Sequence, residues 1–148
     1  MTNEEYYRYT EKVLHSYKRN VGTSEKLAEE LDMLREVGDI QGQSYGNAVN
    51  MSAVSDPVLA YVIKVESIEK KLKRIKRRVK AVDRLREDLR ECKVITIASP
   101  RNLLRILTEY YIEGLTVNEF LSIHNWIRST FYVRKRELVI IAGEYLRA

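Results

Sequence analysis

Gly114-Leu115-Thr116-Val117-Asn118-Glu119-Phe120-Leu121-Ser122-Ile123-His124-Asn125-Trp126-Ile127-Arg128-Ser129-Thr130-Phe131-Tyr132 carries the densest set of local folding signals in the chain. Gly114 closes the helix before it, because a residue without a Cβ takes the left-handed cap conformation without strain. Thr116 and Glu119 stand three apart, the spacing of a capping box: the threonine oxygen accepts the Glu119 amide while the glutamate returns to the Thr116 amide. A short helix then runs to about Ile123. His124-Asn125 marks a tight turn, since Asn is the side chain that best tolerates a left-handed backbone after Gly, and Trp126 is placed to plug it. A second helix is expected from Arg128 to about Leu146, with Phe131, Leu138, Ile141 and Tyr145 as its buried candidates. Helix, glycine, capping box, short helix, four-residue turn and second helix follow one another in the order of a helix-turn-helix.

The first turns of that second helix hold Arg128, Ser129, Thr130, Tyr132, Arg134, Lys135 and Arg136. Arg and Lys suit phosphates and guanine edges, and hydroxyls suit phosphates or base edges of either kind. Double-stranded DNA is therefore the expected partner, with Phe131 turned inward onto Phe120 and Trp126.

Upstream, Ser99-Pro100 is a helix start, a serine cap followed by proline at the first position. Leu103, Leu104, Ile106, Leu107, Tyr110 and Tyr111 make that helix strongly apolar. Val94-Ile95-Thr96-Ile97-Ala98 is β-branched, but no partner strand is visible, so it reads as a connector. Before it, Ser55-Asp56-Pro57 opens a long helix expected to reach about Lys93. Tyr61, Val65, Ile68, Leu72, Ile75, Val79 and Val82 recur in 4-3 steps, a coiled-coil seam. The step from Val82 to Leu85 is three where four is due, a stammer. Such a seam must pack on the first two helices, on another copy, or both, and a homodimer is the expectation.

The same helix carries Lys70, Lys71, Lys73, Arg74, Lys76, Arg77, Arg78 and Lys80, eight basic residues in eleven positions with no acid among them. A solvated exterior would normally mix signs. Contact with a polyanion, with Lys73, Arg74, Arg77 and Arg78 foremost, competes with neutralisation by the acidic front of the chain and with a plain solvated face.

That front reads as two helices. The first, over 4–20, sets Tyr6, Tyr9, Val13 and Tyr17 on one face and ends at Gly22; the second, with Leu27, Leu31 and Leu34, runs to about Val37. Gly38, Gly42, Gly46, Asn47 and Asn50 then suggest a loop or linker. The expected organisation is a helical hairpin over 1–37, a linker over 38–56, the long basic helix and connector over 57–98, and the helix-turn-helix over 99–148. The fold class is all-α.

Charge follows this division: residues 1–56 carry net −4, 57–98 net +7 and 99–148 net +2. The 148 residues contain one cysteine, Cys92, which excludes an intrachain disulfide and fits a reducing cytoplasm. No apolar h-region stands at the start, and the longest apolar run, 58–63, is far short of a membrane span. His15 and His124 lie far apart, no metal-ligand spacing occurs, and the glycines form no phosphate-binding loop. No enzyme, catalytic residue, metal or cofactor is expected.

The segment 110–120, Tyr-Tyr-Ile-Glu-Gly-Leu-Thr-Val-Asn-Glu-Phe, continued by Arg128-Ser129-Thr130-Phe131-Tyr132, resembles region four of sigma factors. It more closely resembles the phage late-transcription activators of the RinA and ArpU type, in which a variable helical front precedes a region-four-like module. Glu119 matches that module's first-helix glutamate and Arg128-Ser129-Thr130 its recognition-helix start, with no gap between them. Leu121, Asn125 and Ile127 depart from it, where a small residue, a glycine and a serine cap are usual. The resemblance implies a sequence-specific transcription regulator of a phage or mobile element, acting in the cytoplasm of a bacterial host, with RNA polymerase as a further partner. A small terminase-type packaging subunit and a helical protein-binding adaptor are the alternatives.

Overall fold

The computed structural model describes the backbone of residues 1–45 and 51–148 and the side chains of residues 1–38 and 57–148. The described residues are all-α: α1 (Asn3–His15), α2 (Tyr17–Tyr45), α3 (Met51–Arg90), α4 (Pro100–Arg105), a π-helical segment (Ile106–Ile112) that continues α4, α5 (Val117–His124) and α6 (Arg128–Arg147). No helix is long and apolar enough to cross a membrane among the described residues.

The helix starts follow their local chemistry. Thr2 and Glu5 form a capping box at α1, and Thr116 and Glu119 form the expected one at α5. The Ser99 hydroxyl accepts the Asn102 amide with Pro100 in the first turn of α4. Each such cap contributes about 0.5–2 kcal/mol. The helix ends differ from expectation. The first break falls at Ser16, and α2 runs on through Gly22 and Gly38. An interior glycine costs only about 1 kcal/mol, and at Gly38 the absent side chain is needed. The Tyr61 hydroxyl lies where a Cβ would stand. The break expected at Gly22 is absent, and within the smaller unit α2 packs on α3.

α3 begins at Met51, ahead of the expected start, and Pro57 lies inside it. The backbone tolerates that proline at the loss of one helical hydrogen bond. The expected linker is therefore helical over 39–45 and 51–56, and its centre, 46–50, lies outside the described residues. The 94–98 run is a connector as read. Its Ile97 and Ala98 amides donate to the two Glu137 carboxylate oxygens at 2.6 and 2.9 Å rather than to a partner strand.

The chain forms two compact units, and the expected boundary at residue 37 is not where it divides. The larger comprises Met1–Asn20 and Arg77–Ala148, the smaller Val21–Lys76. The larger core buries Val13 and Leu14 of α1 and Val82, Leu85 and Leu89 of α3. Leu103, Ile106, Leu107 and Tyr111 join them from α4 and the π segment, with Phe120 of α5 and Phe131, Leu138, Val139 and Ala142 of α6. α1 is thus part of the same module as the helix-turn-helix. The smaller core is Leu31 of α2 with Ile68 and Leu72 of α3, flanked by Leu27, Ala28, Leu34 and Val65. Arg35 pairs with Glu69 at 3.0 Å, and Gly38 meets Tyr61, so α2 and α3 run antiparallel there. The seam on α3 is covered within the chain, by α2 at Ile68 and Leu72 and by the larger core at Val82. Of the two coverings foreseen for it, the intramolecular one is present.

Candidate nucleic-acid interface

The turn between α5 and α6 is built on one aromatic pivot. Asn125 takes φ 55°, ψ 44°, the left-handed conformation expected of it, and three residues separate the helices. Phe120, fully buried, has Trp126 at 5.0 Å, Phe131 at 5.2 Å and His124 at 4.6 Å between ring centres. Phe131 also meets Tyr110 edge-on at 5.3 Å. Such pairs add about 0.5–1.5 kcal/mol each beyond burial and fix ring orientation. Phe131 is inward and packed on Phe120 as expected, and Trp126, half-buried, also packs on Phe120.

The π-helical segment was not legible as such. Its wider turn, closed by the Glu113 amide donating to the Thr108 carbonyl at 2.8 Å, brings Glu109 to His124. The His124 Nε2 lies 2.8 and 2.9 Å from the two Glu109 carboxylate oxygens, which ties the end of α5 to the helix before it. π-helical turns of this kind are frequent at functional sites.

The expected contact residues divide into two groups. Arg128 and Ser129 are exposed at the start of α6, whose first residue carries no side-chain cap, as the Ile127 position implied. The Arg128 guanidinium donates to the Asn118 side-chain oxygen Oδ1, which aligns it across α5. Tyr132 and Arg136 are also exposed. With Val133, 71 % exposed and absent from the expected set, they form one outward stripe at helical spacing. Thr130 is half-buried. Arg134 lies over the Trp126 ring at 4.4 Å, a cation–π contact that spends its charge on the turn.

Lys135 does not face outward. Its Nζ lies 2.8 Å from the Glu11 carboxylate of α1, with both side chains largely covered. Burial works against its charge, but the Glu11 hydrogen bond and charge outweigh that and hold its pKa above the ordinary lysine value. Glu11 also accepts from the Tyr111 hydroxyl at 2.8 Å. Burial pushes its carboxyl up, and the bonds from Lys135 and Tyr111 more than reverse this, leaving it below the usual range. Burial together with Glu11 raises the Tyr111 phenol far above its ordinary value. Glu11 escaped the sequence reading because nothing near it in sequence marks it.

On α3, Lys73, Arg74 and Arg77 are exposed, whereas Arg78 is half-buried with its guanidinium over the Tyr9 ring at 5.7 Å. The larger unit holds 18 basic and 12 acidic residues, net +6, and the smaller 8 and 9, net −1. Among the described residues no three His, Cys, Asp or Glu side chains converge to hold a metal ion. Comparison with protein-family models, with curated proteins and with solved structures finds no match for this chain.

Proposed function

We propose that the chain is a sequence-specific, double-stranded-DNA-binding transcription regulator of the phage late-activator kind, with α6 as the helix that enters the major groove. The observation that carries this reading is the outward stripe Arg128, Ser129, Tyr132, Val133 and Arg136 on a helix set by a left-handed turn and a buried aromatic pivot. An arginine can read guanine bidentately, and a valine methyl can meet a thymine methyl. The net charge of +6 on the unit that bears the stripe favours a phosphate-rich partner. RNA polymerase contact stands on the region-four resemblance alone.

Selection of bound fragments from random duplexes tests the reading, followed by titration of the selected and a scrambled duplex. Arg128→Ala should keep its helicity and lose about 1–3 kcal/mol on the selected site, with a smaller loss on the scrambled one. Equal losses would reassign Arg128 to phosphate. The second reading is a protein-binding adaptor. Exposed Ile123 (61 %), Ile127 (72 %), Val133 and Ile140 (51 %) on α5, the turn and α6 favour it. No enrichment of any duplex, with the fold intact, would select that reading.

A further inference from the structure

In the smaller unit, α3 is apolar around its whole circumference over Val58-Leu59-Ala60-Tyr61-Val62-Ile63. Tyr61 faces α2 at Gly38. The others do not: Leu59 and Ile63 are each 57 % exposed, one turn apart on the same ridge. On α2, Met33 and Val37 are likewise exposed and one turn apart. A helix that is apolar all round is ordinarily buried. Together these four side chains leave on the order of 400 Å² of apolar surface to solvent.

Beside the ridge lies an open groove of about 600 Å³, lined by Leu27 and Glu30 of α2 and by Ala60, Ile63, Lys64, Ser67, Ile68 and Lys71 of α3. Ala60 and Ser67 are small and leave room for a side chain between the helices. The charges on the two helices are opposite. Residues 21–38 of α2 carry two basic and five acidic side chains, and residues 57–76 of α3 carry six basic and two acidic.

We propose that a second copy of this chain covers this face, the two α2–α3 hairpins stacking about a two-fold axis into a four-helix bundle. The symmetry lays the acidic α2 of one protomer on the basic α3 of its partner, and α3 on the partner's α2. A surface that carries a ridge, a groove and both signs of charge is complementary to itself, which a two-fold contact requires. Like-signed helices would repel a copy of themselves, whereas here each meets its opposite. A standard stable interface buries roughly 800 Å² per partner, which the ridge, the groove and their polar flanks together have to supply. The bundle uses the outward face of the hairpin and leaves the Ile68–Leu72 seam on α2, so it differs from a dimer through the seam.

The test is sedimentation equilibrium of the full chain without DNA, which separates this proposal from the reading of α6. A mass near twice 17.4 kDa is expected for the unaltered chain at micromolar concentration. Leu59→Glu with Ile63→Glu should give a monomer of unchanged helicity, since both side chains are at the surface. Glu30→Lys should weaken the dimer at least tenfold, and adding Lys64→Glu with Lys71→Glu should restore it. A monomeric unaltered chain overturns the proposal and assigns the face to another occupant. A dimer that survives Leu59→Glu with Ile63→Glu overturns it as well, by placing the interface elsewhere. Failure of the charge exchange to restore association overturns the pairing of α2 on the partner's α3.

Discussion

Glu11 and Lys135 meet from opposite ends of the chain, and their pairing sets a pH dependence that can be read as stability. The Glu11 pKa in the folded chain lies below its ordinary 4.5 because the Lys135 and Tyr111 bonds overcome burial. Its contribution is therefore complete above about pH 4.5 and is lost as pH falls through the depressed value. The Lys135 pKa lies above its ordinary 10.5, so its contribution is complete below that value and is lost as pH rises through the raised one. The His15 pKa is lowered, by burial first, and by the Lys135 charge against the opposing pull of Glu11. Its contribution stands above about pH 6.5 and is lost as pH falls further. Urea unfolding followed by circular dichroism should show greatest stability between about pH 7 and pH 10. Glu11→Gln should cost about 2–4 kcal/mol at pH 7, because it leaves Lys135 charged and largely covered without its partner. It should also flatten the loss below pH 4.5. An acid limb that is the same with and without Glu11 would mean the pair does not carry it. The sequence offered Lys135 as one of three consecutive cations and held no sign that its charge is spent on α1. Local spacing could not show that Lys135 is turned inward, because its partner Glu11 comes from the other end of the chain.

At the scale of elements, the starts of α4, α5 and α6 were legible, whereas those of α2 and α3 and several helix ends were not. Ser99-Pro100, Thr116 with Glu119, and Asn125 each act through bonds or backbone strain within a few residues, so the sequence contains the whole interaction. Gly22, Gly38 and Pro57 read as boundaries because each disfavours a helix by about 1–3 kcal/mol. Tertiary packing supplies more than that: the Tyr61 ring occupies the space Gly38 leaves, and α2 and α3 bury Leu31 against Ile68 and Leu72. The π-helical turn at 106–112 coincides with contacts to distant segments, Glu109 to His124 and Tyr111 to Glu11, that local spacing does not contain. The basic block on α3 yields an element-scale prediction. Lys73, Arg74 and Arg77 are exposed, whereas Arg78 leans on Tyr9. Changing the first three to Gln should weaken binding to all duplexes alike and flatten the slope of log affinity against log salt by roughly 0.9 for each phosphate no longer neutralised. Arg78→Gln should instead lower stability with a smaller change in slope. An unchanged slope in the triple variant would leave the block as a solvated or protein-facing surface.

At the scale of the whole molecule, the all-α class followed from periodicity and breaker scarcity, but the division into units did not. Tyr6 donates to the Gly143 carbonyl at 2.6 Å across 137 residues, a contact that no window on the sequence contains. Two cores of unequal size have a thermodynamic consequence. Among the described residues the larger unit buries fourteen apolar side chains and the smaller three, which predicts that the smaller unit is the weaker folding unit. Helix by itself does not rescue it, since most helical stability in a protein comes from burying an apolar face. Thermal unfolding should show a lower transition from the α2–α3 hairpin and an upper one from the unit that holds α6. If two copies associate through the hairpin, the lower midpoint should rise with protein concentration, because association stabilises only the folded form. The upper midpoint should stay fixed over the same range. Leu59→Glu with Ile63→Glu should remove the concentration dependence of the lower transition, and Phe131→Ala should lower the upper one by about 3–5 kcal/mol of stability. A single transition independent of concentration would show that α2 and α3, which run through both units, couple the two cores into one cooperative fold without a partner.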